Sequence, residues 1–80
     1  MKNVVVQFYA ALREKRGLTK ETVKTKAVTV KDLYLELDQK SHFSISMDIL
    51  KVAVNDSFVD WNRKIKTGDK ILFIPPVAGG

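Results

Sequence analysis

The group in this chain best suited to chemistry is the main-chain carboxylate of Gly80, the last residue of the sequence Pro75-Pro76-Val77-Ala78-Gly79-Gly80. A carboxylate resists nucleophiles until one of its oxygens joins a good leaving group. Such an end is therefore a substrate for another protein rather than a catalyst. Proline lacks a backbone donor and does not continue a sheet, so Pro75 and Pro76 are expected to force the preceding strand outward. Val77 to Gly80 then project as an extended tail reaching up to ~13 Å at ~3.3 Å per residue. Gly79 and Gly80 have no Cβ and can enter a passage too narrow for other residues.

Little else offers chemistry. His42 is the one histidine and there is no cysteine. No His, Cys, Asp and Glu spacing matches a metal site, so no metal is expected. No Ser/His/Asp set stands out, and no glycine-rich loop follows a strand to cradle phosphate. His42 reads as a surface or loop histidine and Trp61 as core or rim packing. Asp56, Asp60 and Asp69 fall in turns, where their ordinary role is local hydrogen bonding.

The elements that must carry the tail fit one domain, since the chain has 80 residues. At 45% hydrophobic residues it can build one core but not a deep enclosed active site as well. The absence of cysteine in so small a fold points to a reducing, cytoplasmic setting. No apolar run approaches the ~18 residues of a membrane span, and Met1-Lys2-Asn3 leads into a strand pattern without a signal-peptide layout. Lys and Arg number 14 against 9 Asp and Glu, a net charge of +5. Those cations are scattered, with one tight cluster at Arg13-Glu14-Lys15-Arg16. Solvated faces come first as an account, an acidic protein surface second and RNA third.

Asn3 to Tyr9 alternates as a strand, with Val4, Val6 and Phe8 on one side and Asn3, Val5, Gln7 and Tyr9 on the other. Ala10 to Lys15 suits a turn of helix ending at Gly17. Glu21 to Ala27 suits a second strand pairing with the first as a wide hairpin. Thr29 is a helix N-cap with Asp32 completing a capping box. Val30, Leu33, Tyr34 and Leu37 then form one apolar stripe, fading near Lys40 or Ser41. His42 to Leu50 has no period and reads as an irregular connection whose apolar residues cap the core. Lys51 to Asn55 is a third strand. Asn55-Asp56 is a turn pair tolerant of left-handed geometry, and Ser57 to Val59 is a short return strand. Lys66 to Asp69 is a turn before a last strand, Lys70 to Ile74, apolar throughout from Ile71. That strand is either central in the sheet or exposes one face to a partner. Strands around a single helix make an α+β sheet with the helix on one face. Residues 1–74 are the folded body and 75–80 the tail.

With these elements placed, the sequence resembles the β-grasp, ubiquitin-like sulfur carriers, and among them the small subunits of molybdopterin synthase. The resemblance rests on Phe8-Tyr9-Ala10-Ala11-Leu12-Arg13-Glu14 after the first strand and Thr29-Val30-Lys31-Asp32-Leu33 opening the helix. Val52-Ala53-Val54-Asn55, Gly68-Asp69 and Pro75-Pro76-Val77-Ala78-Gly79-Gly80 complete it; Gln39 to Leu50 matches little. It implies that an E1-like activating enzyme uses ATP to adenylate Gly80, and that a donor's sulfur then gives a thiocarboxylate. The tail would deliver this sulfur to a cyclic pyranopterin precursor in a large catalytic subunit, within a heterotetramer. No cofactor would be bound by the chain, and the acids and bases would belong to its partners. On the same pattern Tyr9, Phe58 and Ile74 form an apolar docking face near the tail; Phe58 could equally fill the core, while Ile74, next to the tail, is read as interface before core. Arg13 either pairs with acids on the activating enzyme or is a solvated charge. The rivals are the thiamine-pathway carrier, which usually lacks the Pro-Pro pair, a basic nucleic-acid-binding module, and a modifier that conjugates to lysines.

Overall fold

A computed structural model describes residues 1–75. Its elements are β1 (Lys2–Phe8), α1 (Ala10–Arg16), β2 (Lys20–Thr25), α2 (Val30–Ser41), a 3₁₀ turn (Met47–Ile49), β3 (Lys51–Val54), β4 (Ser57–Phe58) and β5 (Lys70–Ile74). The five strands form one sheet in the order β2-β1-β5-β3-β4. β1 and β5 run parallel at its centre, and the other pairs are antiparallel. The wide β1–β2 hairpin and the α+β class expected from the sequence are both present.

Hydrophobic alternation decides which side of the sheet is core. Val4, Val6 and Phe8 of β1, Ile71 and Phe73 of β5, and Val52 and Val54 of β3 are buried in one cluster. α2 covers that side with Val30, Leu33, Tyr34 and Leu37, the stripe that its i, i+3, i+4, i+7 spacing dictates. The capping box forms: Thr29 Oγ1 accepts from Asp32 N–H at 3.2 Å, and Asp32 Oδ2 accepts from Thr29 N–H at 3.2 Å. These two bonds satisfy donors that the first helical turn leaves free. The Thr29 N–H, with the Thr29 hydroxyl beside it, holds the Asp32 carboxyl below its ordinary pKa. At the other end of α2 His42 is the C-cap, exposed and left-handed at φ 51.

The connection after α2 closes the core only in part. Phe43 and Leu50 are buried and Ile45 and Met47 pack against the cluster, but Ile49 is exposed. The 3₁₀ turn rotates Ile49 outward, which a stretch without periodicity gave no means of foreseeing. Tyr34 is anchored here, its hydroxyl donating to the Ile45 carbonyl at 2.7 Å. Burial pushes the Tyr34 pKa up to about 12; the Asp38 charge adds to the rise and the bond to Ile45 opposes it. Because the folded value lies above the unfolded ~10, the stabilising term is fully present below pH ~10. It is lost as pH climbs toward the folded value, where only the unfolded chain has released its proton. Urea midpoints measured from pH 9 to 12 are expected to fall more steeply for the parent than for Tyr34→Phe.

The register of β5 is pinned at its start by Asp69. Its buried carboxylate accepts from Asn55 Nδ2 at 2.9 Å and from Lys66 N–H at 2.8 Å, with Arg63 Nη1 at 3.7 Å. Asn55 Oδ1 in turn accepts from Lys70 N–H at 3.0 Å. Asn55 and Asp56 have φ 52 and 73 and close the β3–β4 hairpin as its two turn residues. Positive φ at both positions is the type I′ requirement, which Asn and Asp tolerate better than most residues. The turn Asp of the sequence reading is thus a local hydrogen-bonding group, as expected, and also a clasp between two turns. Asp69→Ala strands two donors, so a loss of about 2–3 kcal/mol is expected in urea unfolding.

Candidate docking face and tail exit

The side of the sheet opposite α2 is open. On it lie Asn3, Val5, Gln7 and Tyr9 from β1 and its end, Lys70, Leu72 and Ile74 from β5, Lys51 and Ala53 from β3, and Phe58 from β4. Cross-strand register puts Gln7, Leu72, Ala53 and Phe58 in one row. The next row pairs Ile74 with Lys51. Tyr9 follows Phe8, whose partner is Phe73, so it falls beside Ile74.

The structure therefore brings Tyr9, Ile74 and Phe58 onto one face. Phe58 is 72% exposed and takes no part in the core. Tyr9 is exposed and Ile74 half-buried. The row also adds Leu72 and Ala53, which the sequence reading did not single out. Leu72 is half-buried, while Ala53 is buried beneath its neighbours on the open side. The run Ile71 to Ile74 hides its own alternation, because every member is apolar. Parity with Ile74 was the available signal: residues two apart on a strand share a face. β5 is both central and half-open, with Ile71 and Phe73 in the core and Leu72 and Ile74 on the open side.

The parallel pairing of β1 and β5 sends both strands off the same end of the sheet. Tyr9 caps α1 there, and its carbonyl accepts from Leu12 N–H at 3.1 Å and Arg13 N–H at 3.4 Å. Leu12 anchors α1 in the core while Arg13 is exposed. Among the described residues Arg13 has no ion-pair partner. Its neighbour Arg16 grips Glu21 with two bonds of 2.8 Å. Pro75 is buried at the end of β5. The remaining tail positions, Pro76, Val77, Ala78, Gly79 and Gly80, lie outside the described residues.

Around the corner from Phe58 runs a groove of about 560 Å³ lined by Leu50, Lys51, Val52, Phe58, Val59, Asp60 and Trp61. Trp61, one of its lining residues, is stacked on Phe73 with centroids 5.9 Å apart. Among the described residues no group of three His, Cys, Asp or Glu side chains could hold a metal ion. No helix among them is long and apolar enough to cross a membrane.

One long helix, α2, held by a five-stranded mixed sheet with parallel first and last strands at its centre, is the β-grasp of ubiquitin-like proteins. The open face adds an exposed apolar surface next to the end of β5. The chain belongs to the ThiS family, whose model matches residues 6–80. A Haemophilus influenzae molybdopterin synthase sulfur carrier subunit is 31% identical, covering 94% of this chain and 96% of that protein. A Pyrococcus furiosus protein assigned as subunit 1 of molybdopterin converting factor superposes with a TM-score of 0.81 at 26% identity, covering 96% of this chain and all of that one, 100%. The complex of subunits 1 and 2 of the Helicobacter pylori molybdopterin-converting factor contains a chain 30% identical to this one. Its TM-score is 0.69, with 98% of this chain and 99% of that chain covered.

Proposed function

We propose that this chain is the sulfur carrier of molybdopterin synthase, holding sulfur as a thiocarboxylate on Gly80. The observation that carries the reading is end-to-end similarity to a curated sulfur carrier subunit, 31% over 94% of the chain. The fold supports it, because an exposed apolar face lies beside the end of β5, the strand that leads to the tail. An activating enzyme would let a Gly80 carboxylate oxygen attack the α-phosphorus of ATP, expelling pyrophosphate. A sulfur nucleophile at the level of hydrosulfide then attacks the acyl carbon, and AMP departs with that oxygen. The thiocarboxylate sulfur finally bonds to a carbon of the pyranopterin precursor bound in the large subunit, displacing an oxygen substituent there, and water attacks the acyl carbon to break the acyl–sulfur bond and restore the Gly80 carboxylate. Tyr9, Phe58, Leu72 and Ile74 would dock the body while the tail reaches the partner's active site.

Intact mass after co-expression with the activating enzyme tests the chemistry. A gain equal to one oxygen replaced by one sulfur is expected, and it should vanish when Gly80 is deleted. A terminus that stays unmodified would defeat the proposal. Pull-down with the large subunit of molybdopterin synthase and, separately, with thiazole synthase separates the molybdopterin pathway from the thiamine one. Phe58→Ala tests the face. Truncating this exposed aromatic is expected to weaken the large-subunit complex about tenfold, with thermal unfolding unchanged.

A further inference from the structure

The open face carries a charge pattern as well as an apolar one. Register places Lys20 beside Gln7 and Lys24 beside Asn3 on the β2 side. Lys70 lies beside Val5, and Lys51 beside Ile74. Lys51 and Lys70 thus flank the row of Leu72, Ala53 and Phe58 on its two sides, and Lys20 and Lys24 lie beyond it on the β2 edge. Among the described residues no Asp or Glu occupies an outward strand position. Glu21 points to the opposite side of β2, held by Arg16. Two acids border the face: Asp60, which lines the groove shared with Lys51 and Phe58, and Asp56 in the β3–β4 turn, whose Oδ1 lies 3.5 Å from Lys70 Nζ. The Asp56–Lys70 pair is well exposed at both ends, so it contributes little and leaves Lys70 free to exchange partners.

We propose that this face receives a protein surface with an apolar patch flanked by carboxylates, and that the four lysines steer that surface into place. This rests on the sulfur-carrier reading and names the chemistry that its docking partner must show. An apolar patch supplies adhesion once water is excluded, while the flanking charges act at longer range, on the encounter rate and on the choice of partner. A second copy of this chain is a poor occupant, because it would bring lysines against lysines. Nucleic acid fits less well than protein. The two exposed aromatics, Tyr9 and Phe58, stand on strands three spacings apart, ~14 Å at ~4.8 Å per strand. Successive bases could not stack on both, and the surface between them is aliphatic.

The test is the association rate with the large subunit of molybdopterin synthase from the same genome, measured across salt concentrations. Two variants remove the same charge: K20Q/K24Q/K51Q/K70Q on the open face, and K26Q/K31Q/K40Q/K64Q elsewhere. The parent rate is expected to fall about tenfold as ionic strength rises from about 0.02 M to about 0.5 M. The open-face variant should start about tenfold slower with a flat salt response, and its dissociation rate should stay within about twofold. The second variant should behave nearly as the parent does. A complex that forms at a salt-independent rate overturns the inference and leaves the carrier reading standing, as does equal slowing by the two variants. Absence of any complex overturns both. Binding of an oligouridine probe as tightly as the large subunit, abolished in the open-face variant, would assign the face to RNA and overturn the inference.

Discussion

Appending a leucine after Gly80 is expected to abolish sulfur loading while leaving the unfolding temperature where it was. The added peptide bond turns the Gly80 carboxylate into an amide carbonyl, which has no oxygen to give to ATP. The new terminal carboxylate sits one residue further out and beside a branched side chain. A passage that admits Gly79 and Gly80 because they lack Cβ atoms will not admit it. The body has no stake in the change, since the described core is closed by residues up to Phe73. Two measurements separate the effects: thermal unfolding by circular dichroism, expected to overlay, and intact mass after co-expression with the activating enzyme, expected to show no sulfur. Normal loading of the extended protein would remove the terminal carboxylate from its proposed role. Loss of both fold and loading would instead mean that the tail belongs to the core.

Much of the body was legible because its signals are local. The alternation of β1, the stripe of α2, the Thr29–Asp32 box and the Asn55-Asp56 turn each fix a backbone conformation within a few residues. The open face is a different kind of object. It exists only once β1, β5, β3 and β4 are placed side by side, so its composition depends on register between segments far apart in sequence. Tyr9, Phe58 and Ile74 were grouped through resemblance. Leu72 and the flanking lysines were not, because a uniformly apolar strand conceals which residues face outward and scattered lysines look like ordinary solvation. Asp69 shows the same limit: its turn was readable, but its reach to Asn55 was not.

Phe58 and Phe73 make the point quantitatively, since both end or nearly end a short apolar run and neither neighbourhood tells them apart. Phe58 is 72% exposed and Phe73 is 0% exposed. Phe73→Ala is therefore expected to cost about 3–5 kcal/mol, the range for removing a fully buried aromatic. Its ring lies against two others, edge-on to Tyr34 at 5.3 Å and stacked on Trp61 at 5.9 Å. Each such pair contributes roughly 0.5–1.5 kcal/mol beyond area burial. An 80-residue domain has roughly 4–12 kcal/mol to lose in total. The variant should therefore melt roughly 15–30 °C lower, if it folds at all. Phe58→Ala, on the surface, should stay within ~0.5 kcal/mol of the parent. Urea unfolding of the two variants beside the parent checks both values, and near-equal losses would refute the assignment of inward and outward faces. The consequence reaches function through β5, which holds Phe73 inward, Leu72 and Ile74 outward, and Pro75 at its end. A cavity beneath that strand loosens the face and the tail exit together, so partner binding should fail in Phe73→Ala at temperatures where Phe58→Ala still folds fully.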